Sequence, residues 1–164
     1  MNEQELTKLQ ESLSEVVGSC EVEGVGTTMV TKLDAISSKW RQTWTAILKG
    51  TDQDGYVVYR AKKYPGIEDK PDLQTRRAAY EFAVERVLDT QYTEVECDEP
   101  THAQQMVEQN IRLAVAITRV IDKDAYDSYK AMREAAGLDV SARRSAYLQV
   151  CKAFLQASYK LANV

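Results

Sequence analysis

Asp52, Asp54 and Gly55 have the residue types and spacing of the middle of a calcium loop. Such a loop sets oxygen ligands at positions one, three and five, glycine at six and a bidentate glutamate at twelve. With Gly55 at six, Gly50 falls at one and Ala61 at twelve. The carboxylate that would close the shell is missing. The stretch therefore reads as a turn between strands, where Asp and Gly supply local hydrogen bonds and φ > 0. No metal and no cofactor is expected.

Five cations lie around this turn: Arg41, Lys49, Arg60, Lys62 and Lys63, interleaved with Tyr56, Tyr59 and Tyr64. Cations alternating with aromatic rings can grip single-stranded nucleic acid. On an exposed strand the same lysines only block edge pairing. The chain carries 21 Lys and Arg against 25 Asp and Glu, a net charge of −4, which favours the second reading. The opposite patch is Glu94, Glu96, Asp98 and Glu99, in a stretch (89–100) without a basic residue. This acidic strip is the expected contact for a protein partner. Two arginine pairs, Arg76–Arg77 and Arg143–Arg144, fall near helix starts, where a cation opposes the macrodipole at a cost of a few tenths of a kcal/mol. Pairing with the acidic strip within the chain would offset that.

Other chemistry is thinly represented. His102 is the lone histidine, and a dyad with Cys97 competes with a plain helix-start role. Glu81, Glu85 and Glu108 would sit at helical spacing and could hold magnesium or manganese, but no second half of a motif accompanies them. There is neither a nucleophile elbow nor a glycine-rich phosphate loop. The three cysteines, Cys20, Cys97 and Cys151, form no CxxC pair, which fits a reducing compartment. The first residues lack the basic start and apolar run of a signal peptide, and no segment approaches the ~18 apolar residues of a membrane span.

The elements that must position these residues follow from periodicity. Leu6, Leu9, Leu13, Val16 and Val17 predict a helix over 3–17. From Glu21 onward Val, Thr and Gly dominate, and alternation predicts three strands: 25–33, 39–49 and 56–63. Trp40, Trp44 and Ile47 also fit a helical period, which leaves a helix as the alternative there. Four helices follow. The first runs from Pro71 to about Asp89, the second is capped by Thr101 and spans 102–121, the third spans 124–136 and is closed by Gly137, and the last spans 142–161 with Ser141 as its cap. Trp40 and Trp44 read as core anchors. Asn110 lies on an apolar stripe, either as a buried amide with partners or at the stripe's wet edge. Leu138 and Val140 are expected to tuck inward, and no internal repeat is visible.

The expected fold is α+β: an N-terminal helix, a small three-stranded antiparallel meander and a four-helix C-terminal half. It is read as one domain over 1–164, with lobes at 1–66 and 67–164 as the alternative division. The expected function is a non-catalytic interaction module with a protein partner and no membrane association. It would be a subunit of a homo-oligomer or larger assembly (a viral one included) or a stoichiometric inhibitor, working through acidic and apolar surface. The cytoplasm is its expected compartment, or host cytoplasm and virion for a viral chain. A nucleic-acid-associated protein using the basic hairpin and a carboxylate–metal enzyme are the alternatives.

Overall fold

Between a period of two and a period of 3.6, the helical period prevails from Met29 onward. The computed structural model describes Gln4, Glu11 and residues 29–66, 71–92 and 99–162, and among these there are six helices and no strand. They are α1 (Met29–Thr51), α2 (Gln53–Lys63), α3 (Leu73–Gln91), α4 (His102–Ile121), α5 (Lys123–Ala136) and α6 (Val140–Ala162). The expected α+β fold is thereby overturned: the segments assigned to the second and third strands are α1 and α2, and the fold is mainly helical. Residues 25–28 of the first expected strand, and nearly all of the expected helix 3–17, lie outside the described residues.

The physical reason is burial. Leu33, Ile36, Ser37, Trp40, Trp44, Ile47 and Leu48 are all buried, and they recur at helical spacing rather than alternating. Thr43, Thr45 and Thr51, which favour a strand by propensity, donate their hydroxyls back to the carbonyls of Lys39, Gln42 and Ile47. A modest propensity gives way once a wide apolar stripe can be covered on one face.

α1, α3, α4 and α6 each pack against the other three and enclose the core, in which Trp40, Val84, Ile117 and Phe154 meet. α2 lies outside this bundle on α1 and α3, and α5 lies outside it on α4 and α6. Both halves thus run long helix, short helix, long helix.

The likeness of the halves extends to single residues, correcting the expectation of no repeat. Asp52 (φ −149°, ψ 84°) joins α1 to α2, and Asp122 (φ −148°, ψ 80°) joins α4 to α5. Each caps the short helix through the amide three residues on, Gly55 or Ala125. The stretches DQDGYVVYRAKK (52–63) and DKDAYDSYKAMR (122–133) align without a gap, as do DLQTRRAAY (72–80) and DVSARRSAY (139–147). Asp72 and Asp139 cap α3 and α6 in the same manner, so Asp139 takes the role expected of Ser141. The fully buried Ala79, Ala83, Val84, Val87 and Leu88 of α3 correspond to the fully buried Ala146, Val150, Cys151, Phe154 and Leu155 of α6. The equivalent residues Trp40 and Asn110 meet each other reciprocally. The indole Nε1 donates to the Asn110 carbonyl (2.8 Å), and the Asn110 amide donates to the Trp40 carbonyl (3.2 Å). Such exchange is the contact pattern of a two-fold axis.

Gly55 marks one departure between the halves. A Cβ there would lie 2.6 Å from Asp52 Oδ2 and 3.0 Å from Arg86 Cγ, because Arg86 closes a 2.6 Å ion pair over the cap. Gly→Ala inside a helix ordinarily stabilises by about 0.5–1 kcal/mol. Gly55→Ala is expected to do the reverse, lowering stability by about 1–2 kcal/mol as the cap and ion pair shift. A urea titration showing stabilisation would contradict this account of the junction.

Candidate interaction surface

The inner face of α2 is held by tyrosines and cations. The Lys63 ammonium donates to the Tyr80 hydroxyl at 2.8 Å and lies 4.8 Å from the centre of that ring. Tyr59 is buried beside them, with its ring centre 5.9 Å from that of Tyr80. Lys49 lies over Tyr56. The second half repeats the set on α5: Arg133 donates to the Tyr147 hydroxyl at 3.0 Å, Tyr129 lies 6.0 Å from Tyr147, and Arg119 lies over Tyr126. Because both halves contain these pairs at the same places, they serve first to fasten each short helix to its long neighbour.

The electrostatics of the first cluster follow from this packing. Burial disfavours the Tyr59 phenolate and pushes its pKa up, with Tyr80 adding to the effect. Burial acts the same way on Tyr80, but the hydrogen bond and charge of Lys63 outweigh it and hold Tyr80 below its ordinary value. Burial works against the Lys63 charge, and the Tyr80 bond overcomes it, so the ammonium is held above its usual range. Arg41 sits between the Tyr80 and Tyr159 rings, at 5.5 and 5.1 Å from their centres.

The outer face of α2 is where the halves part. Val57 and Ala61 fall at i and i+4, Val58 widens the stripe, and the C-cap residue Tyr64 follows it at the helix end. Val57 is 63% exposed, Val58 43% and Tyr64 46%. The equivalent positions of α5 are Asp127, Ser128, Ala131 and Glu134, an ordinary solvated face. Arg60 and Lys62, both exposed, flank the α2 stripe on either side. At the position of Lys62 the second half carries the half-buried Met132, and at that of Arg41 it carries the buried Ile111. The same scaffold therefore has one helix that meets water with carboxylates and one that presents aliphatic side chains rimmed by cations.

The structure brings together the five cations singled out in the sequence, on α1 and α2 rather than on a hairpin. Three ion pairs form among the described residues, Arg77–Glu81, Arg86–Asp52 and Arg112–Glu108, and none of them uses Arg41, Lys49, Arg60, Lys62 or Lys63. Of the acidic strip, Glu94, Glu96 and Asp98 lie outside the described residues, and Glu99 is exposed ahead of α4. The helix-start arginines are partly accounted for: Arg77 pairs with Glu81, and the Arg143 guanidinium donates to the Gly137 carbonyl at the end of α5. There a cation favours the dipole of the preceding helix. Leu138 (88% exposed) and Val140 (39%) do not tuck inward as expected.

Asp52, first among the suspected metal ligands, is committed to its cap and to Arg86, whose hydrogen bond holds the carboxyl below its usual range. The junction is thus neither a calcium loop nor a hairpin turn but the joint of two helices. Glu81 and Glu108 have arginine partners, and Glu85 is exposed. Among the described residues no three His, Cys, Asp or Glu side chains are grouped to hold a metal, and no helix is long and apolar enough to cross a membrane. His102 is exposed in the first turn of α4, and Cys97 lies outside the described residues.

Tyr64 is singled out by the sequence, but Val57 and Val58 escape sequence reasoning because, read as a strand, they fall on opposite faces. The repeated D-x-D-[GA]-Y-x-x-Y pattern is the signal that would have shown them to be a departure. Compared with models of known families, with curated proteins and with solved structures, the chain matches none.

Proposed function

We propose that this chain is a non-catalytic protein-interaction module whose working surface is the outer face of α2. A single observation supports the reading. At aligned positions of the two halves, Val57 and Val58 of α2 and its C-cap residue Tyr64 are exposed where α5 exposes Asp127, Ser128 and Glu134. Exposed aliphatic side chains grouped on one face are a feature of contact surfaces. They also favour a protein over a nucleic acid, because valines offer a phosphodiester chain neither charge nor a stacking platform. A protein partner agrees with the expectation from sequence, with the contact moved from the acidic strip to an apolar, cationic face.

The second half supplies the control. A photo-cross-linking amino acid placed at Val57 is expected to form discrete protein adducts in extract of the native source, and one at Asp127 is expected to form none. Replacing Val57, Val58 and Tyr64 by the Asp, Ser and Glu of α5, with the cross-linker moved to Ala61, should abolish the adducts and leave the melting temperature within about 3 °C. Equal yields at both helices would refute the assignment.

A further inference from the structure

Resting on that reading, we infer the chemistry of the partner: the α2 face takes an acidic amphipathic helix. The stripe of Val57 and Ala61, broadened by Val58 and continued by the C-cap residue Tyr64, runs along the last two turns of α2, about 10 Å at 1.5 Å per residue. A helix laid along it offers apolar residues at i, i+3, i+4 and i+7 to the same stripe. Its flanks then meet Arg60 on one side and Lys62 on the other, cations without a carboxylate partner among the described residues. Glutamates on those flanks complete the ion pairs, whereas lysines would place like charges together. Asp54, also on the outer face but in the first turn of α2, would repel a glutamate, so the partner's glutamates belong beside Arg60 and Lys62 in the later turns. Arg60 has its guanidinium 5.7 Å from the Tyr64 ring centre, and the Lys62 ammonium lies 5.2 Å from the Phe82 ring centre. Both charges are thus held beside the stripe by aromatic rings, which lowers the conformational cost of using them.

A second copy of the chain is a poorer occupant. An isologous contact through α2 would set Arg60 and Lys62 against their own copies across the axis, a like-charge arrangement. Nucleic acid would leave the valines covered by polar backbone.

The test uses the full chain and three probes: a synthetic helix of about 16 residues with leucines on one stripe and glutamates on the flanks, the same helix with lysines for glutamates, and an oligothymidylate of matched charge. Fluorescence anisotropy is expected to show micromolar binding of the glutamate helix, at least tenfold weaker binding of the lysine helix, and at least tenfold loss for Arg60→Glu with Lys62→Glu. Val57→Asn, which leaves the charge unchanged, should weaken the glutamate helix by a similar factor, which separates docking from plain charge attraction. Equal binding of the two helices, indifference to the charge reversal, or preference for the oligothymidylate would each overturn the inference. So would self-association by light scattering that Val57→Asp abolishes. Adducts at residue 57 in native extract without glutamate-helix binding would leave the interaction surface standing and the partner's chemistry wrong.

Discussion

Trp40→Ala is expected to remove about 3–5 kcal/mol of folding stability. Trp40 is 1% exposed and sits where the two halves meet. Its ring lies 4.5 Å from Phe154 and 5.6 Å from Trp44, centre to centre, so truncation opens a cavity against both. It also removes the donor to the Asn110 carbonyl, and the Asn110 amide then bonds to a backbone freer to move. A single domain holds roughly 5–15 kcal/mol in all, so this variant approaches unfolding. Trp40→Phe separates the contributions. It keeps an aromatic ring in the core and loses only the Nε1 donor and part of the volume, for an expected cost of about 1–2 kcal/mol. Guanidinium unfolding followed by far-UV circular dichroism measures both. A loss under about 1.5 kcal/mol for the alanine variant would mean that the clasp does not join the halves as described.

Alkaline pH is the second large lever, because buried and partly buried phenols line the core. Tyr59, Tyr92, Tyr129 and Tyr159 all have raised pKa values, with burial the leading cause in each, and Tyr129 is pushed up to about 12. The buried Cys151 thiol is raised for the same reason. In the unfolded chain tyrosine titrates near 10 and cysteine near 8.5. The fold thus favours the protonated forms. Stability from these groups is complete below the unfolded values and is lost as pH climbs through the folded ones. Lys63, raised above its usual range, adds to the same loss. Tyr56 and Tyr80 are lowered, chiefly through Arg60 and Lys63, and oppose it. The raised groups outnumber the lowered, so the melting temperature should hold to about pH 9 and fall steadily from pH 10 to 12. Each raised group contributes at most ~1.4 kcal/mol per pH unit, and less where water screens a half-exposed ring. Tyr129→Phe should flatten the decline. A melting temperature unchanged through pH 11.5 would disprove the linkage.

The C-terminal half was legible because its signals are local. Thr101 and Gln104 form a capping box, Gly137 takes a positive φ of 55°, and the apolar stripe of α4 stands out from its polar face. The N-terminal half misled because its local signals favour strands. Val, Thr and aromatic residues recur through α1 and α2, and DQDG resembles a hairpin turn as closely as a helix junction. The repeat was missed for a related reason. Trp40 answers Asn110, Trp44 answers Ala114, and the spacing shortens by three residues before α6, so likeness survives only at caps, tyrosines and buried positions.

By itself the sequence determined what depends on neighbours along the chain: helix starts and stops in the second half, the cation and tyrosine composition around α2, and the Trp pair as core. Tertiary structure decided the rest. Whether Met29–Thr51 becomes strand or helix depends on which face finds a cover, and that cover is supplied by α3, α4 and α6 from far along the chain. The exposed valines of α2 acquire meaning only beside the carboxylates of α5, once folding has placed the two helices in equivalent sites.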